Sequence, residues 1–190
     1  MSDIIARLAP GQAVAALRAR RPVTRDHGQA SHDALLAAAD TAEVTLAERL
    51  AVAAYIAALH SDAPGSAEYG ARLRGVAPRL ADAVAEVAAA TVAEGPYGRY
   101  PAGPLSAEDR EGPGFALPTA LAETLGPRLC AAFAHAHLLV LHPRDASVEA
   151  IAALRAAGWS PDAIVTLSQL VAFLAYQIRA AHGLRVLATA

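Results

Sequence analysis

Residues 45–69, TLAERLAVAAYIAALHSDAPGSAEY, decide the fold that we expect for this chain. Apolar residues fill the first half at helical spacing, and a Pro-Gly break then interrupts the pattern. Thr45 and Glu48 form a capping-box pattern, in which each side chain accepts a hydrogen bond from an otherwise unpaired backbone N–H. The stretch predicts a helix that begins at Thr45 and ends near Ser61, followed by a second helix over about Ser66–Gly75.

Helical patterns continue on both sides of this stretch. On the N-terminal side we expect a helix from Gly11 to Arg21, a loop from Arg25 to Ser31 and a helix from His32 to Ala39. After it, we expect helices over about 78–94, from about Leu117, over 128–141 after Pro127, over 147–157 before Gly158, and from Ser160 to near His182. Residues 95–116 are rich in glycine and proline and predict a long loop. No pattern of period two appears, so we expect an all-α fold in one domain, residues 1–190.

A weak internal repeat divides this predicted domain into two lobes. SAEYGARLR (66–74) aligns with SVEAIAALR (147–155), and an apolar helix that ends in a histidine, His60 or His142, precedes each segment. We therefore expect two related helical lobes, about 45–94 and 117–187, joined by the loop 95–116.

Composition excludes several classes of protein. The chain has 190 residues, of which 55% are hydrophobic and 5% aromatic, and its formal net charge is −2. All its basic side chains are arginines, as expected for a GC-rich bacterial genome, and no basic stripe with interleaved aromatic residues appears, so we expect no nucleic-acid partner. A single cysteine, Cys130, excludes an intrachain disulfide and fits a reducing compartment.

No targeting or membrane-spanning segment is predicted. The N-terminus, MSDIIARLAPGQ, lacks the basic and apolar regions of a signal peptide. The longest apolar run, 163–178, contains polar residues and is shorter than the roughly 20 residues of a membrane span. We therefore expect a cytoplasmic protein without a membrane partner.

Glu48 and His60 are the first pair of candidate catalytic residues. They lie twelve positions apart, which corresponds to about 18 Å along a straight helix at about 1.5 Å per residue. They cannot hydrogen-bond to each other directly unless the helix breaks, so a shared site needs groups from other segments. The alternative roles are structural: Glu48 in the capping box, and His60 at a helix C-terminus, where the dipole favours a cation.

The segment FAHAHLLVLHPRD (133–145) is the second candidate. His135 and His142 lie seven positions apart on one helix face, and Cys130 and His137 have the same separation on another. A Cys–His pair can produce a reactive thiolate, but seven residues of helix rise about 10.5 Å, which prevents direct contact. No spacing typical of zinc ligands is evident, so we expect no metal and no cofactor.

Taken together, these segments resemble the carboxymuconolactone decarboxylase and alkylhydroperoxidase D-like superfamily. That family has a Glu, a Cys twelve residues later, a second Cys three beyond, often preceded by His, and a His four beyond that. The corresponding positions in this chain are Glu48, His60, Asp62, Ala63 and Ala67. The tail from about Leu154 to Leu187 is similar to the closing helix pair of the family.

The resemblance implies an all-helical fold, usually assembled into a homo-oligomer. Peroxidase members of the family use a thiolate and a resolving cysteine, with a Glu and a His as proton relay. His60 and Ala63 cannot form a sulfenic acid or a disulfide, so we expect the two-cysteine peroxidase mechanism to be absent.

Three hypotheses for function follow from the residues and the resemblance. The first is acid–base chemistry on a small organic acid or lactone, with Glu48 and His60 exchanging protons. The second is a non-catalytic, ligand-binding oligomer, and the third is residual peroxidase activity through Cys130. The pocket candidates besides Glu48 and His60 are Asp62, Tyr69, His135, His137 and His142.

Overall fold

The structure, a computed structural model, describes residues 3–37 and 43–189. Within these ranges the chain forms α-helices and two short 3-10 turns, and its only β-type pairing is an isolated bridge between Gly98 and Arg110. The predicted all-α class is therefore confirmed. The helices are α1 (Ile4–Leu8), α2 (Gln12–Ala19), α3 (Pro22–Leu36), α4 (Leu46–Leu59), α5 (Ala63–Val76), α6 (Pro78–Thr91), α7 (Thr119–Leu141), α8 (Val148–Ala156) and α9 (Pro161–Thr189).

Helix α4 forms the centre of the molecule. Its residues 49–57 are all buried, and α5, α6, α7 and α9 pack around it. A helix that is apolar on every side has to be covered on every side, and its alanines let the neighbouring helices approach closely. The predicted capping box is confirmed, because Thr45 accepts from the Glu48 N–H while Glu48 accepts from the Thr45 N–H.

The break between α4 and α5 is shorter than predicted. Helix α5 begins at Ala63 rather than Ser66, with Pro64 in its first turn, where a missing N–H costs nothing. Asp62 caps this helix by accepting from the Gly65 N–H at 2.9 Å. Only residues 60–62 connect the two helices, and Ser61 adopts a left-handed φ of 51°.

The predicted loop from Arg25 to Ser31 is wrong, because these residues belong to α3. The buried face of α3 consists of Gly28, His32 and Leu36, spaced four apart. Because glycine and histidine are not apolar, this face lacks the hydrophobic periodicity by which a helix is recognised in a sequence. The predicted end of this helix at Ala39 lies outside the residues that the structure describes.

Helix α9 continues past its predicted end near His182. Its last turns pack on α1, where Ile4, Ile5 and Leu8 form a small second core with Ala181. Arg185 also donates to the Leu8 carbonyl at 2.8 Å. Tertiary packing therefore extends the helix through Gly183, a residue of low helix propensity.

The predicted breaks at Pro127 and Gly158 are present around α7 and α8. Helix α7 kinks at Gly126, whose φ of 75° interrupts the helix just before Pro127. Ser147 caps α8, and Gly158, at φ 88°, follows its C-terminal turn. Both glycines adopt a left-handed conformation that residues with a Cβ rarely take.

Two helices, α7 and α9, are long and apolar enough to cross a membrane by length and composition alone. Core helices of soluble proteins meet the same criterion. The expectations of a cytoplasmic location and of no membrane partner therefore stay predictions.

Candidate functional site

A cavity of about 300 Å³ lies between α7, α8 and the end of the long loop. Four alanines on two facing helices line the cavity, which exists because their side chains are too short to fill the space between the helices. The apolar lining consists of Gly114, Phe115, Ala131, Ala134, Leu138, Ala150, Ala153 and Leu154, and the polar lining consists of His135, His137, His142 and Asp145. Three of the five predicted pocket candidates therefore line one cavity.

His142 is the most strongly held polar group of this cavity. It occupies the C-cap of α7, and its Nδ1 lies 3.0 Å from Asp145 Oδ2 while its Nε2 lies 2.9 Å from the Pro113 carbonyl oxygen. Both ring nitrogens of His142 therefore face oxygen atoms within the protein, and neither is free for a ligand.

His137 lies beside His142 as a neutral base. The two rings stack with centroids 5.6 Å apart and planes inclined by 24°. Burial and the charge of His142 lower the pKa of His137, and an interaction with the Thr91 backbone acts against them. The Nε2 atom of His137 is buried and has no hydrogen-bond partner.

His135 is the second neutral base at the cavity. Its side chain is buried, its Nε2 lies 2.9 Å from Ser168 Oγ, and its Nδ1 is buried without a partner. Burial lowers the pKa of His135. Buried polar atoms are rarely unpaired in native proteins, so two such nitrogens at one cavity suggest that a ligand completes their hydrogen bonding.

The long loop forms one wall of the cavity. Phe115 packs edge-on against His137 at a centroid distance of 5.7 Å. Arg144 lies with its guanidinium 4.0 Å from the centre of the Tyr100 ring and donates to the Glu108 carbonyl. The loop is thus attached to the turn that follows α7, next to the His142–Pro113 hydrogen bond.

The first predicted pair, Glu48 and His60, is not brought together. Helix α4 is continuous, so about 18 Å of helix separates them. Glu48 serves the capping box and pairs with Arg128 at 2.6 Å, and Arg128 also lies over the Trp159 ring. Glu48 therefore has a structural role at the opposite end of α4 from His60.

Asp62 and Tyr69 also have structural partners. Asp62 is buried, caps α5 and accepts from Arg185 at 2.7 Å. Tyr69 is fully buried in α5 and its hydroxyl is hydrogen-bonded to Gln177, while burial raises the pKa of Tyr69 to about 12. Tyr69 contributes nothing to the α7–α8 cavity.

Cys130 is poorly suited to peroxide chemistry. It is half-buried, its Sγ donates to the Ala122 carbonyl at 3.5 Å, and burial raises the pKa of the thiol. A raised pKa reduces the thiolate fraction, which is the reactive form. Across residues 3–37 and 43–189, no three His, Cys, Asp or Glu side chains are grouped so that they could hold a metal ion.

Sequence reasoning did not single out Asp145 as a site residue. The signal for its role was the spacing His142-Pro-Arg-Asp145, since a turn that begins with proline brings the fourth side chain back to the first. Phe115 had no such signal, because long-range packing positions it.

Comparison of the chain with protein-family models, curated proteins and solved structures finds no match.

Proposed function

We propose that the α7–α8 cavity binds a small, largely apolar molecule with an uncharged carbonyl, of which a lactone is the best-fitting class, and performs acid–base chemistry on it. The observation that carries the proposal is the presence of two buried, unpartnered imidazole nitrogens, on His135 and His137, at one apolar cavity. A volume of about 300 Å³ falls at the lower end of typical small-molecule sites.

Charge balance favours a lactone over the organic acid of the original hypothesis. His142 and Asp145 already pair with each other. A carboxylate bound among the alanines would lack its own counter-charge, and burying an unpaired charge is costly. A lactone carbonyl needs only a hydrogen-bond donor, which a neutral imidazole supplies.

The chemistry follows from the two unpartnered imidazole nitrogens at the cavity. One neutral imidazole, His135 or His137, takes a proton from a carbon acidified by the lactone carbonyl. Negative charge then develops on the carbonyl oxygen, where a hydrogen bond from the other imidazole stabilises it. The protonated base returns the proton to carbon, so the neutral site is restored without a cofactor.

Deuterium exchange tests this proposal directly. The protein is incubated with a butenolide in D₂O, and the conversion of C–H to C–D is followed by NMR. We expect exchange above the buffer rate and a loss of at least about 100-fold for His137→Gln or His135→Gln, the size of a typical acid–base contribution. His27→Gln, at an exposed histidine on α3, is the matched control and should exchange like the parent protein. Exchange at the buffer rate in the parent protein would exclude catalysis.

The second candidate is a ligand-binding protein without turnover. It is favoured by the engagement of Glu48, the proton-relay carboxylate that the resemblance implies, with Thr45 and Arg128. Saturable binding of the butenolide without deuterium exchange would identify this function.

We further propose that the chain descends from the carboxymuconolactone decarboxylase and alkylhydroperoxidase D-like superfamily and forms a homo-oligomer. The α4–α5 helix pair, with Glu48 and His60 at the corresponding positions, supports this ancestry. Exposed apolar side chains on α8 and α9, including Val148, Val165 and Tyr176, support self-association. Sedimentation equilibrium tests the second point, and a monomer at all concentrations would contradict it.

A further inference from the structure

A basic corner lies where α4 meets α5 beneath α9. Two clefts, of about 410 and 530 Å³, adjoin there and share His60, Ser61 and Arg179 in their walls. The first cleft also contains His182 and Arg185 from α9. Residues 179, 182 and 185 recur every three positions, so one side of α9 presents three basic groups to this corner.

Neither carboxylate near this corner forms an ion pair with Arg179. Asp62 is occupied by Arg185 and by the Gly65 N–H. Glu94, in the wall of the larger cleft, forms no ion pair among the described residues. Arg179 is exposed and likewise has no ion-pair or hydrogen-bond partner in the described part of the chain.

His60 adds an unsatisfied hydrogen-bonding group to this cation. Its Nε2 is buried and has no partner. Burial, and then the charge of Arg179, lower the pKa of His60, while Asp62 acts against them. His60 is therefore a neutral group that can donate one hydrogen bond next to a free guanidinium.

We propose that the corner formed by His60, Arg179 and His182 is a binding site for a small oxyanion, a phosphate or carboxylate group. Arg179 supplies a planar, charged donor pair, and His60 and His182 supply N–H donors. This site shares no residue with the α7–α8 cavity and does not depend on the function proposed for it.

Histidine NMR with inorganic phosphate tests the site. In ¹⁵N-histidine-labelled protein at constant ionic strength, phosphate should shift the ring resonances of His60 and His182 saturably. The exposed His27 on α3 should shift only linearly, as a surface group does. We expect Arg179→Gln to weaken phosphate binding at least tenfold and Arg155→Gln, an exposed arginine on α8, to leave it unchanged.

Two results would overturn the proposal: non-saturable shifts at His60, or equal binding by the parent protein and Arg179→Gln. Unchanged His135 and His137 resonances in Arg179→Gln show that the variant is folded. Acetate, titrated in parallel, distinguishes the two ligand classes. Saturation by both anions indicates a general oxyanion site, saturation by phosphate alone indicates a phosphate site, and saturation by neither contradicts the inference.

Discussion

Two corners of the molecule each have a histidine at the end of a helix, and these two histidines, His60 and His142, differ in their hydrogen bonding. In each, an apolar helix ends with a histidine at its C-cap, and a helix with a polar N-cap follows, α4–His60–α5 in one case and α7–His142–α8 in the other. His142 is hydrogen-bonded at both ring nitrogens, whereas His60 has an unpartnered Nε2.

The nearby carboxylate has a different partner in each corner. Asp145 Oδ2 lies 3.0 Å from Nδ1 of His142, so this carboxylate occupies the histidine. Asp62 instead accepts a hydrogen bond from Arg185, and burial together with the charge of Arg179 lowers the pKa of His60. The comparison teaches that a histidine at a helix C-cap keeps a free ring nitrogen when the neighbouring carboxylate binds an arginine instead.

Filling the α7–α8 cavity should give the largest effect. Ala134→Leu places a branched side chain into a space that exists because residue 134 is small, so we expect butenolide binding to weaken at least about 100-fold, measured by calorimetry. Ala152→Leu, on the exposed surface of α8, is the matched control. Phosphate binding at the His60 corner should be unaffected by either change. Loss of phosphate binding in either variant would contradict the independence of the two sites.

The two carboxylates should differ in their contribution to stability. The Asp62 side chain is 4% exposed and also caps α5, so Asp62→Ala should lower the free energy of unfolding by about 2–3 kcal/mol. The Asp145 side chain is 43% exposed, and solvent screening limits the cost of Asp145→Ala to about 1 kcal/mol. Urea denaturation measures both values. Equal losses of unfolding free energy would show that the two carboxylates contribute equally to stability, which would contradict this prediction.

Stability should fall as the pH is lowered from 7.5 to 5.5. The folded pKa values of His32, His60, His135 and His137 lie below the ordinary value of about 6.5, so the unfolded chain binds more protons in this range. Each histidine contributes at most about 1.4 kcal/mol per pH unit, from its unfolded pKa down to its folded pKa. The lowered pKa of Asp33 acts only below about pH 4.

Substitution separates the contributions of the two corners to this pH dependence. The double variant His135→Gln/His137→Gln should reduce the slope of unfolding free energy against pH more than His60→Gln does. Unfolding in urea at several pH values measures the slope. A slope unchanged by the double variant would mean that the cavity histidines titrate normally.

Cys130→Ser should have the smallest effect. We expect butenolide exchange and peroxide consumption to change less than about twofold, because the thiol has a raised pKa and lies outside the residues that line the cavity. A peroxide assay on both proteins measures this. Loss of peroxide consumption in the variant would establish the third hypothesis, a one-cysteine peroxidase.

The sequence predicted those features of the fold that depend on interactions between neighbouring residues. The capping box of Thr45 and Glu48, the break at Pro127 and the stop at Gly158 each depend on a few consecutive residues, and each is present in the structure. The first half of helix α3 was missed because the buried face of the helix includes Gly28 and His32, which are not apolar residues.

The site was only partly predictable, because distant segments complete it. His135, His137 and His142 were named from one short stretch, but the cavity beside them depends on alanines of α8 and on Phe115 in the loop. Arg185 reaches Asp62 from 123 positions away, so no spacing rule could have shown that this carboxylate is occupied. Glu48 and His60 were predicted to share a site only with a helix break or groups from other segments, and the continuous α4 keeps them apart.

The most direct test of the account is one spectrum recorded with two ligands. In ¹⁵N-histidine-labelled protein, a butenolide should shift the ring resonances of His135 and His137 and leave those of His60 and His182 in place, whereas phosphate should produce the reverse pattern. Such a result would show two corners with different ligand chemistry. A butenolide that shifts His60, or leaves His135 and His137 unmoved at saturating concentration, would contradict the assignment of the α7–α8 cavity as the functional site.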